Sequence, residues 1–275
     1  MTQTRMVDTG STELLCEIRD RVAIITMNRP EARNALSDQL TPALRAMIAS
    51  CGDDPEVGAL LITGSGDAFC AGGDVKGMGA AGSKSERSVE DRIADLQDKQ
   101  RRLTGALVAL RKPTIAALPG PAVGAGLSIA LACDLRIAAQ SAFISTAYAQ
   151  IGLSGDYGIT WLLTRLVGTS FARELLFGSE RIDAARCEAI GLVNRVTPDA
   201  RLRAESFQWA RKLAHGPAAA FGLMKDNLAD ALRLDFLTCL DNEASRLIQA
   251  SLTDDHRAAV KAFIEQRAAR AMPES

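Results

Sequence analysis

Histidine is scarce in this chain of 275 residues: His215 and His256 are the only two, and both fall late, in helical contexts. A His-rich metal site or a Ser-His-Asp triad has little to draw on, and a solvated or capping role suits both rings. No metal is expected. The six cysteines, Cys16, Cys51, Cys70, Cys133, Cys187 and Cys239, are scattered without a CxxC pair. That pattern fits reduced, mostly buried thiols rather than a zinc or redox motif. Charge of one sign is lacking too. A formal net charge of −1 offers no field to draw nucleic acid or an anionic membrane, although a local basic cluster could still hold a small anion. No apolar run approaches the ~18 residues of a membrane span. The opening "MTQTRMVDTG" also lacks the apolar core of a signal peptide. A cytoplasmic protein with no membrane span and no nucleic-acid partner is the expectation.

What is present is an ordinary globular composition, 47% hydrophobic and 24% charged, long enough for one large domain or a domain with an appendage. "ELLCEIRDRVAIITMN" reads as strand, tight turn and strand, and Ser37 caps an amphipathic helix running to about Ser50. "VGALLITG" and "PTIAALPG" are buried strands, "DLRIAA" is another, and a long helix occupies about 91–110. "GAAGSKSERSVE" (79–90), small and polar, reads as a flap. Strands alternating with helices imply parallel βαβ units with right-handed crossovers. After about residue 199 the pattern is helical. The expected organisation is an α/β core over 1–198 and a helical region over 199–275.

"GPAVGAGLSIALACDLR" (120–136) has the look of a phosphate cradle. The dinucleotide fingerprint would need Gly or Ala where Ile129 stands, and no Gly-Lys-Ser/Thr triplet follows Gly124. The stretch still places glycines ahead of an apolar helix, where free N–H groups and the dipole favour an anion.

Together, "MNRPEARNALS", "GSGDAFCAGGDVKGM", "KPTIAALPGPAVGAGLSIALACDLRIAA" and "IGLVNRV" resemble the crotonase (enoyl-CoA hydratase/isomerase) superfamily, in order and spacing, from about residue 13 to the C-terminus. The resemblance implies a spiral of ββα units with a C-terminal helical trimerisation region, as a homotrimer or a dimer of trimers. It implies an acyl-CoA thioester as substrate, with coenzyme A arriving as part of it and no separate cofactor. It does not fix the reaction. The shared chemistry is stabilisation of a thioester enolate by two backbone N–H groups, worth about 3–4 kcal/mol per donor in other oxyanion holes. The matching amides are those of Gly73 and Ala125, and the small residues Gly72, Gly73, Gly124, Ala125 and Gly126 would let a thioester approach the backbone. By the same resemblance, main-chain groups around Ala68 and Cys70 hold the adenine, within a loop that continues through Asp74, Val75 and Lys76. Arg29, Arg33 and Lys76 are candidates for the phosphates, or merely solvated charges. Asp74 reads as a loop-fixing carboxylate. Phe263 borders the adenine site of an adjacent chain or is a plain core residue.

Hydration of a 2-enoyl thioester commonly uses two glutamates in this family, and the matching positions here are Ser128 and Tyr148. One acid remains, Asp156, in "IGLSGDYGIT". Sequence mechanics make Asp156 an N-cap for the helix starting near Ile159. The resemblance to isomerase-type members makes it a catalytic acid instead, suited to a 1,3-proton shift, with its pKa raised by an apolar pocket of Ile151, Leu153, Tyr157 and Trp161. Tyr148 is either a supporting hydrogen-bond donor or a structural aromatic, and Ser128 a small helix residue. Three alternatives stay open. One is a hydratase in which Asp156 activates water. Another is a nucleophilic dehalogenase, which would want a histidine that "DKQRRLTGAL" does not contain. The third is an acyl-CoA binder without turnover.

Overall fold

The computed structural model describes residues 4–73 and 88–271. Asp74, Val75 and Lys76, with most of the expected flap, lie outside them.

Three antiparallel strands begin the chain: β1 (Thr4–Val7), β2 (Leu14–Arg19) and β3 (Val22–Met27). Asp20 and Arg21 turn β2 into β3 with φ of 51° and 65°, the double left-handed geometry that matches the twist of a two-residue hairpin. From β3 onward the sheet is parallel. It adds β4 (Ala59–Gly64), β5 (Thr114–Leu118), β7 (Leu135–Ala139) and β10 (Arg195–Thr197), giving seven strands in the order β1-β2-β3-β4-β5-β7-β10 among the described residues. Every residue of β5 is buried, as a parallel strand covered on both faces requires. A small sheet joins β6 (Ala122–Val123), β8 (Phe143–Ser145) and β9 (Ile182–Asp183). The α/β spiral expected from the sequence is thus the observed fold class.

Helices make the crossovers. Helix α1 (Leu40–Asp53) joins β3 to β4, and Ser37 Oγ accepts the Leu40 N–H at 2.9 Å. The helix expected over 91–110 is real but not uniform. Helix α2 (Val89–Gln100) is capped by Ser88 Oγ on Asp91 N, a π-helical turn follows over Arg101–Gly105, and α3 (Ala106–Ala109) completes it. Such a turn holds one residue more than an α-turn and shifts the helix's phase. Helix α4 (Ala125–Ala132) is buried along its whole length, and α5 (Ile159–Gly178) and α6 (Ala184–Ala189) follow it in the chain.

The chain forms two compact units, Met1–Leu213 and Ala214–Ser275. Helix α7 (Leu202–Ala214) makes contacts with residues of the sheet and its hairpin. Arg19 lies 3.8 Å over the Phe207 ring, Arg195 lies 3.8 Å over Trp209, and Arg211 pairs with Asp20. The second unit is helical: α8 (Ala218–Ala231), α9 (Phe236–Ser251) and α10 (Asp254–Ala271). Within it Asp230 meets Arg246 at 2.7 Å and Asn242 at 3.0 Å. No described helix is long and apolar enough to cross a membrane.

Candidate active site

Two loops meet at the N-terminus of α4. Phe69 N and Cys70 N both donate to Pro121 O, at 3.0 and 3.1 Å, and Val123 N donates back to Cys70 O at 2.9 Å. Gly124 N then reaches Ser145 O at 3.0 Å, so the 120–124 segment is stitched between the 68–73 loop and β8. Glycine is required where these backbones touch. A Cβ on Gly126 would stand 2.4 Å from Cys70 O, and one on Gly72, whose φ is +90°, would stand 2.8 Å from Val123 O and 3.5 Å from Ala125 N. Gly72 therefore lies directly against the Ala125 amide. Neither the Gly73 nor the Ala125 N–H donates to another described residue. The Ala125 amide opens α4, where the helix's partial positive charge is concentrated.

The far side of the 68–73 loop is held by a residue that the sequence reading passed over. Asn34 is fully buried with φ of 57°. Its Nδ2 donates to Ser65 O and Ala68 O at 2.9 and 2.8 Å, while its Oδ1 accepts Arg29 N at 2.8 Å. Leu36 N adds a bond to Gly72 O at 2.8 Å, and Ala71 N one to Arg33 O at 3.0 Å. The available signal was an Asn after an Arg-Pro turn, since Asn tolerates the left-handed region and mimics backbone groups.

Among the residues assigned to coenzyme A, Arg29 is tied into the fold: Nη1 donates to Ala35 O at 2.6 Å and Nε stands 3.1 Å from Glu13 Oε1. The Arg33 side chain is exposed. Ala68 and Cys70 are buried, and both main-chain polar groups of Cys70 are engaged with Pro121 and Val123. Burial pushes the Cys70 thiol up to about 12, so it is a packing group rather than a nucleophile.

Asp156 sits between residues with positive φ: Gly155 at 115°, Tyr157 at 49° and Gly158 at 79°. Its carboxylate does not cap helix α5 (Ile159–Gly178), which has no side-chain cap. Only its backbone carbonyl takes Ile159 N, at 3.1 Å. The N-cap alternative is therefore excluded. Asp156 Oδ1 accepts instead from Tyr148 Oη at 2.5 Å. Burial raises the Asp156 pKa, and the Tyr148 bond opposes that rise in part. Burial, and then the neighbouring Asp156 charge, push the Tyr148 hydroxyl well above the usual phenol range, so it stays a neutral donor. A Cβ on Gly124 would lie 3.9 Å from Tyr148 Cζ. The tyrosine thus stands between the acid and the residue that precedes the Ala125 amide.

Two more side chains touch this loop. Ser128 Oγ donates to Asp156 O at 3.2 Å and Gln100 Oε1 accepts Tyr157 N at 3.0 Å. Among the described residues no second carboxylate bonds to Asp156, Tyr148 or Ser128. The expected apolar pocket is met only in part. Tyr157 is buried, but Ile151, Leu153 and Trp161 are each about half exposed, at 52%, 52% and 43%. Tyr148 bonds the carboxylate itself, whereas Ser128 and Gln100 bond the main chain of residues 156 and 157.

The sequence model of the enoyl-CoA hydratase/isomerase family matches residues 17–271. A short-chain-enoyl-CoA hydratase of Clostridium acetobutylicum is 34% identical over 256 residues, covering 92% of this chain and 95% of that protein. A crotonyl-CoA hydratase of Syntrophomonas wolfei is 32% identical over 257 residues, with coverage of 93% and 96%. The crystal structure of an enoyl-CoA hydratase from Polaromonas sp. JS666 superimposes with a TM-score of 0.85 at 30% identity, covering 92% of this chain and 97% of that one.

Proposed function

The chain belongs to the enoyl-CoA hydratase/isomerase (crotonase) family, and on that premise we propose that it moves a double bond of an acyl-CoA thioester by a 1,3-proton shift through Asp156. One observation carries the reading: Asp156, a half-buried carboxylate of raised pKa, is bonded by Tyr148, whose ring lies beside Gly124, the residue before the Ala125 amide, and among the described residues no second carboxylate bonds to this pair. The Gly73 and Ala125 amides donate to the thioester oxygen as negative charge develops there. Asp156 removes a proton from one carbon of the acyl chain, and the electron pair spreads into a dienolate. The carboxylic acid so formed returns the proton two carbons away, and the double bond moves with no change in mass. A raised pKa suits a group that must first take and then give a proton. Tyr148, held neutral, keeps the carboxylate oriented throughout.

The nucleotide end of the substrate lies along the 68–76 loop, with main-chain groups near Ala68 and Cys70, the small walls at Gly72 and Gly124, and phosphate contacts from Arg33 and Lys76. Asp74 and Val75 belong to the same stretch of sequence, and Arg29 is held by Glu13 and Ala35 O. The helical region after 199 assembles the chain into trimers. Support comes from α9, where Phe236, Leu237, Leu240, Leu247 and Ile248 are exposed.

Hydration is the second reading, favoured by the names of the relatives from C. acetobutylicum and S. wolfei. In it Asp156 activates a water that adds to a 2-enoyl-CoA. A panel of 2-enoyl-, 3-enoyl- and ring-bearing CoA thioesters, followed by absorbance and mass, separates the two. A double-bond shift at constant mass supports isomerisation, and a mass gain of one water overturns it in favour of hydration. Binding of an enoyl-CoA with no exchange of its α or γ protons into D₂O would overturn both.

A further inference from the structure

The Asp156 carbonyl and the Tyr157 N–H are the two ends of one peptide unit, and each is gripped by a side chain from a different helix. Ser128 on α4 donates to the carbonyl at 3.2 Å. Gln100, the last residue of α2, accepts the N–H at 3.0 Å. We infer that Gln100 is a positioning residue which, with Ser128, clamps this peptide and so aims the Asp156 carboxylate. The inference rests on the reading of Asp156 given above.

The clamp has work to do because the loop has a natural way to relax. Tyr157 holds a φ of 49°, an unfavourable value for a bulky aromatic residue. A concerted rotation about the bonds flanking the 156–157 peptide would return Tyr157 to the ordinary extended region. The same rotation would exchange the positions of carbonyl and N–H, breaking the Ser128 and Gln100 bonds that hold the main chain carrying Asp156. The Gln100 oxygen bonds the N–H as it stands, and a flipped peptide would require its side-chain amide to turn over and the Ser128 hydroxyl to become an acceptor at the same time.

The helix geometry supports this assignment. The π-turn begins directly after Gln100, at Arg101, and Thr104 Oγ1 donates to Gln100 O at 3.3 Å. Along the same helix Val89, Ile93 and Leu96 are exposed, whereas Gln100 is half-buried and Leu103 fully buried. The extra residue in that turn resets the phase between Gln100 and the anchoring Leu103. Insertions of this kind recur at functional sites. Ser128 also gains a reason to be small: it occupies the position matched to a hydratase glutamate and shares its hydroxyl between Gly124 O at 3.3 Å and Asp156 O at 3.2 Å.

The test compares Gln100→Leu with Gln100→Glu, each in the native and the Asp156→Asn backgrounds, using turnover of the enoyl-CoA thioester that the native enzyme processes best. Glutamate keeps an acceptor of the same reach and leucine does not. Expected for Gln100→Leu is a fall in kcat of about 10²-fold, the scale of an ångström-level misplacement, with KM little changed. The acid limb of its pH profile should move to lower pH as the freed carboxyl reaches water. Gln100→Glu should recover most of the loss, and Gln100→Leu should cost nothing further once Asp156 is Asn. The clamp is overturned if Gln100→Leu keeps full kcat, if glutamate fares no better than leucine, or if the loss persists undiminished in the Asn background. Undiminished turnover in Asp156→Asn alone would instead overturn the assignment of the acid, and the clamp with it. Should the leucine variant fail to fold by thermal unfolding, Gln100→Ala removes the acceptor without added apolar bulk.

Discussion

A carboxyl group withdrawn from water binds its proton more tightly, and Asp156 shows what that does to both stability and chemistry. Its folded pKa is raised by burial above the ordinary 3.8, so the native state holds a proton over a pH range where the unfolded chain has lost it. That contribution to stability is fully present below 3.8 and is lost as pH rises through the folded pKa. At neutral pH the ionised acid therefore costs stability. Asp156→Asn, whose Oδ1 can still accept from Tyr148, is expected to raise the Tm at pH 7 and to narrow the gain on acidification. The same substitution should cut turnover by about 10²–10⁴-fold, the usual range for losing an acid–base group. A variant that is both less active and less stable would contradict this account. Tyr148→Phe removes the bond that holds the acid's pKa down. Its acid limb in kcat/KM should shift to higher pH, and a shift the other way would show that the phenol acts differently.

At the scale of elements, the two glycine loops that meet at the start of α4 were legible in the sequence because their glycines are forced by backbone contact, and such contact leaves a mark in residue type. Gly126 is one case: any Cβ there meets Cys70 O at 2.4 Å. Gly126→Ala is expected to cost about 1–3 kcal/mol, as overpacking does in other cores, measured by urea unfolding. Ser37 was legible in the same way, as a cap on α1, and Ser37→Ala should cost about 1 kcal/mol. Other features left no such mark. The π-turn over Arg101–Gly105 occupies an unbroken amphipathic run, and nothing in "DKQRRLTGAL" distinguishes it from α-helix, since the phase shift follows from where Leu103 and Leu107 pack. Asp156 read equally well as a cap, because a Gly-bracketed acid before a helix fits both roles. The turn through Gly155 and Gly158, with Tyr148 bonding the carboxylate, removes the cap. Asn34 and Gln100 were missed for a related reason: their partners, Ala68 and Tyr157, are 34 and 57 residues away.

For the whole molecule, the parallel α/β arrangement followed from strands alternating with helices, and the family motifs in register gave its spiral form. Assembly is a matter of surface. Leu237, Leu240, Leu247 and Ile248 recur along α9 at helical spacing and are all exposed in the single chain, which is a poor surface to leave in water. Sedimentation should find a threefold multiple of the 29.2 kDa chain. Leu247→Asp together with Ile248→Asp should shift that species toward monomer, and an unchanged mass would remove α9 from the interface. The bond between Tyr148 and Asp156 has one more consequence. The chain contains just two tyrosines, one bonded to the acid's side chain and the other joined to its backbone. Fluorotyrosine labelling would thus yield two resonances from a protein of this size, both reporting on the ionisation of a single carboxyl group.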